Sequence, residues 1–92
     1  MKIEEKSACI LLDAAETIRD RKDKYGNAQD NFTHIAAIWN AIFQTKIFDA
    51  EKVAIAMIGL KIARMKQTPG MRDSLIDICG YAALIEDLHD ER

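Results

Sequence analysis

The segment from Leu75 to Ile85 is apolar around nearly the whole circumference of a helix, and it carries a single carboxylate, Asp77. A helix without a polar face is buried on most sides, so Asp77 is expected to be an interior charge. Taking an unpaired carboxylate out of water costs several kcal/mol even after relaxation. A domain of this size has a total stability of about 5–14 kcal/mol, so Asp77 requires a partner. The candidates are an Arg or Lys on another helix, a metal ion, or a polar ligand, and each leads to a different function.

Ninety-two residues with 49% hydrophobic content, one proline and no low-complexity tract describe one domain spanning residues 1–92 with one core. A formal net charge of -2 argues against general nucleic-acid binding, which needs a clear excess of Lys and Arg. There is no apolar run of signal-peptide or membrane-spanning length, so a cytoplasmic protein with no membrane partner is expected. Cys9 and Cys79 lie in apolar helical settings and are expected to be reduced, buried thiols.

Hydrophobic periodicity predicts four helices, at about residues 4–25, 31–45, 49–66 and 72–90, and no half-buried strand. In the first, Leu11, Ala14, Ala15, Ile18 and Tyr25 share a face, and Gly26 is placed to end it. Its last turns hold Arg19, Arg21, Lys22 and Lys24, which suit the negative end of a helix dipole, with phosphate contact as the alternative reading. Asp30 or Asn31 is a candidate cap for the second helix, and Asp49 for the third. Gln67, Thr68, Pro69 and Gly70 break the third from the fourth. The expected fold is all-α, a compact four-helix arrangement with short loops. Because nearly half the chain is apolar and the fourth helix needs neighbours on every side, a homo-oligomer, dimeric or higher, is expected.

Lys61 and Arg64 interrupt a run of the third helix, from Met57 to Met65, that is otherwise apolar. If helices three and four form an antiparallel hairpin, either cation can oppose Asp77. The plainest reading is a buried ion pair between Arg64 and Asp77. The functional reading makes the same groups a pocket in which Lys61 and Arg64 meet phosphate oxygens while Asp77 accepts from a base or sugar hydroxyl. Trp39 and Tyr81 are candidates to stack a nucleobase, although aromatics at helical spacing are more often core. His34 has no second His or Cys at ligand spacing, which argues against zinc. Asp13, Glu16, Asp73 and Asp77 form a candidate Mg²⁺ set if the first and fourth helices pack suitably. Nothing resembles a Ser-His-Asp triad, a glycine-rich phosphate loop or a CxxC pair.

Lys24-Tyr25-Gly26, Asn31-Phe32, Leu60-Lys61-Ile62-Ala63-Arg64 and the run from Arg72 to Ala83 together resemble a family of short phage and prophage proteins of unassigned function. That family is distantly similar to the all-α MazG-like nucleotide pyrophosphohydrolases. The resemblance implies a MazG-like fold in which Asp73 and Asp77 stand on the later acidic helix that helps hold Mg²⁺. Where those enzymes carry an ExxE pair, this chain has Val53 to Arg64, with no carboxylate and two cations. Lys and Arg repel a metal and attract phosphate directly, so the expectation leans away from catalysis.

The favoured expectation is a nucleotide-binding protein without a cofactor, with Tyr25, Asn31, His34, Trp39, Lys61, Arg64, Asp77 and Tyr81 around the ligand. In a phage setting this suggests sequestration, for example of a cyclic nucleotide second messenger of antiviral defence. The alternative is a Mg²⁺-dependent nucleoside triphosphate pyrophosphohydrolase using Asp13, Glu16, Asp73 and Asp77. A third reading is a protein-protein interaction inhibitor or adaptor in which Asp77 is purely structural.

Overall fold

The computed structural model describes residues 3–89, apart from the side chains of Ile3, Glu4 and Tyr25. Four helices follow one another: α1 (Ile3–Tyr25), α2 (Ala28–Phe43), α3 (Ala50–Gln67) and α4 (Arg72–Leu88). The all-α, four-helix expectation is met, with differences at the helix ends. Asn27, and neither Asp30 nor Asn31, caps α2: its extended backbone and its side-chain oxygen, which accepts from the Asp30 amide at 3.3 Å, start the helix three residues early. The helix stops at Phe43 because Gln44 turns left-handed, φ 52°. Asp49 caps α3 as expected, accepting from the Lys52 amide at 2.8 Å. The α4 helix ends at Leu88, and Asp90, placed in that helix by periodicity, lies outside the described residues.

The joint between α1 and α2 sets the layout. Gly26, at φ +80°, adopts a left-handed conformation that costs a glycine little, and its amide closes α1 by donating to the Lys22 carbonyl at 3.0 Å. Only Gly26 and Asn27 separate the two helices. Contacts then advance along α4 in step with the chain. Asp13 pairs with Arg72, Ile18 lies beside Gly80, Phe32 packs on Tyr81, and Ala36 joins Leu88 in the core. Thus α1 and α2 follow α4 in one direction, as two arms of an elbow. The α3 helix returns antiparallel to α4, because Lys61 meets Asp77 and Glu51 meets His89.

The core lies at the α2 end of this elbow, where Phe32 and Ala36, Ala50, Val53 and Ala54, and Leu88 come from three helices. Trp39, Phe48, Tyr81 and Leu84 fringe it. Asn40 fixes the link between α2 and α3, since its amide both donates to the Phe48 carbonyl and accepts from the Phe48 amide, each at 3.0 Å. Under the α1 arm the buried residues are the small Ala14 and Ser74. Cys9 and Cys79 are free thiols, half-buried where full burial was expected, because the α1–α4 seam has no third layer over it among the described residues. Among the described residues, no helix is long and apolar enough to cross a membrane.

Candidate functional site

The inner side of the elbow is a cleft of about 700 Å³. Its walls come from the last turns of α1 (Thr17, Ile18, Arg21, Lys22), the start of α2 (Asn27, Ala28, Gln29, Asn31, Phe32), and α4 (Ile76, Asp77, Gly80, Tyr81, Leu84, Asp87). The volume falls within the usual range of about 300–1,000 Å³ for small-molecule sites.

Asp77 stands in the α4 wall with its side chain only 13% exposed, as the apolar helix requires. Of the two α3 cations expected to oppose it, Lys61 and not Arg64 is the partner, and a second cation comes from α1. Lys61 Nζ reaches Asp77 Oδ2 at 2.8 Å from α3, and Arg21 Nη2 reaches Oδ1 at 3.2 Å from α1. Arg64 is exposed on α3 and does not pair with Asp77. The antiparallel register explains the exchange: it sets residue 61 opposite residue 77, and three residues further along the helix turns a side chain about 60° away. Lys61, at 14% exposure, is nearly as enclosed as its partner, whereas Arg21 keeps 48% of its side chain in solvent at the cleft.

Of the residues expected around a ligand, Asn31, Asp77 and Tyr81 line this cleft, and Lys61 adjoins it through Asp77. Tyr81 is half-buried, with its ring 6.0 Å from that of Phe32 at 41°. Three others are elsewhere. Trp39 packs edge-on against Phe48, centroids 5.4 Å apart, at the fringe of the core. His34 is exposed on α2 outside the cleft, and Arg64 is exposed outside it on α3. The side chain of Tyr25 lies outside the described residues.

The four-carboxylate set is not assembled. Asp13 pairs with Arg72, Asp77 with its two cations, and Asp73 and Glu16 are exposed. Among the described residues no three His, Cys, Asp or Glu side chains come together as a metal site. Helix α1 passes α4 with Arg72 opposite Asp13 and Arg21 opposite Asp77, so these acids meet bases where a metal site needs further acids.

Asn27 was not singled out by the sequence, and Arg21 and Lys22 stood only in the basic cluster from Arg19 to Lys24, where phosphate contact was the alternative to the helix-dipole reading. The direction of that cluster became legible only with the elbow at Gly26, which folds the end of α1 and the start of α2 over Asp77.

The fold is all-α, with a mixed-charge cleft at a helix elbow. A family model described as a domain of unknown function, DUF6378, matches residues 9–89, and the chain belongs to that family. It is similar to the Gene 55 protein of Mycobacterium phage L5, 40% identical over 87 residues that cover 90% of this chain and 56% of that protein. It is also similar to the Gene 55 protein of Mycobacterium phage D29, 38% identical over 86 residues that cover 92% of this chain and 56% of that protein. The chain thus spans about half the length of these curated relatives. No solved structure matches it. The likeness to short phage proteins read from the motifs agrees with these relatives.

Proposed function

We propose that the elbow cleft binds a nucleotide and holds it without turning it over. The observation that carries this reading is the charge balance at Asp77, where one carboxylate is shared by two cations. Lys61, behind the wall, neutralises Asp77, leaving Arg21 as a half-exposed positive charge facing the cleft, with Lys22 beside it and Asp87 as the opposing carboxylate. A guanidinium in this position is suited to bidentate contact with phosphate oxygens. Lys22 and the amino end of α2, where backbone amides favour an anion, line the same side. Tyr81 and Phe32 offer an aromatic wall, and Asn27 and Asn31 offer hydrogen-bonding groups suited to a base or sugar.

The likeness to MazG-like enzymes belongs to this proposal, as a nucleotide-binding architecture kept while the acidic metal site is exchanged for cations. Phage kinship supports the narrower reading of a sponge for a nucleotide second messenger of antiviral defence. Thermal denaturation against a panel of linear and cyclic nucleotides, with and without Mg²⁺, tests it, followed by chromatography of the incubated nucleotide. Stabilisation with the nucleotide recovered intact is expected. Mg²⁺-dependent turnover would replace binding with pyrophosphohydrolysis, and the absence of any shift across the panel would favour the interaction protein.

A further inference from the structure

The elbow cleft carries opposite charge at its two ends. Arg21 and Lys22 line it near the end of α1, and Asp87 lines it near the end of α4. Asp87 follows Asp77 by ten residues on one helix, which sets it about 15 Å further along the axis at 1.5 Å per residue. Arg21 is held to Asp77, and this fixes the cation at the near end. Tyr81 and Leu84 lie between the two ends on α4, and Phe32 meets Tyr81 from α2.

No contact among the described residues accounts for Asp87. The lining has one other carboxylate, Asp77, which two cations already meet. Asp87 is exposed, and among the described residues no cation or hydrogen-bond donor engages it. It also stands in the last turn of α4, a turn without a basic residue, at the negative end of the helix dipole. An acid in that place weakens a helix slightly, so the position works against stability while presenting two oxygens to the cleft.

We propose that Asp87 reads the base of the bound nucleotide and that the base it selects is guanine. This rests on the nucleotide reading of the cleft and extends it. An ionised carboxylate can only accept hydrogen bonds, through two adjacent oxygens. The pairing edge of guanine presents its N1–H and its N2 amine side by side, and one carboxylate accepts from both. Adenine and cytosine each set an amine beside a ring-nitrogen lone pair, which the carboxylate repels. Uracil places its N–H between two carbonyl oxygens, with the same result. The spacing agrees with this assignment: about 15 Å accommodates a nucleoside monophosphate lying lengthwise, its phosphate on Arg21, its base over Tyr81 and Leu84, and a hydrogen bond at each end.

Calorimetric titration of the full chain with the monophosphates of guanosine, inosine, adenosine and uridine tests it, because these share one sugar and one phosphate. Inosine differs from guanosine only in lacking the N2 amine. The guanosine nucleotide is expected to bind at least about 10-fold more tightly than those of adenosine and uridine, with inosine monophosphate in between. Asp87→Asn, whose amide offers one acceptor in place of two, should remove most of that preference while helix content by circular dichroism stays unchanged. Equal affinity for all four, or a guanine preference that survives Asp87→Asn, overturns the inference and leaves the cleft a nucleotide seat. Binding of none of the four by a chain that another nucleotide stabilises overturns the inference alone, whereas binding of no nucleotide at all overturns both.

Discussion

Lys61 and Asp77 meet at 2.8 Å across the α3–α4 hairpin with their side chains only 14% and 13% exposed, so removing Asp77 strands an enclosed cation. The pair lies just behind the cleft wall and ties the helix that carries Asp77 and Tyr81 to the helix that completes the core. Replacing Asp77 with Ala leaves the enclosed Lys61 ammonium with only solvent fluctuations to satisfy it. Complete burial would make such a loss worth about 3–5 kcal/mol. With the residual exposure, about 2–4 kcal/mol is expected for Asp77→Ala in urea denaturation. The double variant Lys61→Met with Asp77→Leu should recover most of it, since paired apolar replacements of buried ions are often neutral. A double variant as unstable as Asp77→Ala would show that the pair is not the unit that matters.

Arg21 should separate stability from binding. Its side chain is 48% exposed, and exposed ion pairs contribute about 0–1 kcal/mol. Arg21→Ala is therefore expected to leave the melting temperature almost unchanged. A charged hydrogen bond to phosphate is worth about 1.5–3 kcal/mol, so the same change should weaken nucleotide binding by about 10-fold to 100-fold. Calorimetric titration of both proteins reads the two effects separately.

Asp49 gives the fold a defined acid dependence. The amide of Lys52, donating to its carboxylate at 2.8 Å, holds the Asp49 carboxyl below the usual carboxylate range, with the Lys52 ammonium adding to the effect. A carboxyl whose value is depressed by folding contributes stability above its unfolded value of about 3.9, and loses it as the pH falls through the lower, folded value. Asp49→Asn keeps the capping oxygen but removes the titration. Wild type should thus exceed Asp49→Asn in unfolding free energy at neutral pH, and the gap should close in acid. A gap constant with pH would show that the carboxylate charge has no part in the cap.

Asn40 is expected to be intolerant of Asp. Its amide nitrogen donates to the Phe48 carbonyl and its oxygen accepts from the Phe48 amide, and a carboxylate can perform only the second role. Asn40→Asp sets negative charge against a carbonyl oxygen and should cost about 1–3 kcal/mol. Hydrogen exchange should show faster opening of the linker between α2 and α3, where Phe48 bridges Trp39 and Phe43.

Much of the fold was legible because it rests on local rules. Asp49 begins α3 where a cap was expected, Gly26 ends α1, and the break at Pro69 and Gly70 makes the hairpin. The interior character of Asp77 followed from the apolar helix around it. Its partners did not, because choosing Lys61 over Arg64 depends on a register set by packing between helices, and Arg21 comes from a helix 56 residues away. Trp39 and His34 share α2 with Asn31, yet they turn to the core fringe and to solvent. Periodicity places residues on faces; it does not say which face meets which helix. The elbow at Gly26 and Asn27 supplies that information, and the cleft depends on it.

The most direct measurement is calorimetric titration of wild type, Arg21→Ala and Tyr81→Ala with the nucleotide that stabilises the chain most. Saturable binding of the intact nucleotide by wild type is expected, weakened at least about 10-fold by either change, with both variants folded by circular dichroism. No binding by wild type to any nucleotide, or binding that neither change disturbs, would contradict a nucleotide seat in the elbow cleft.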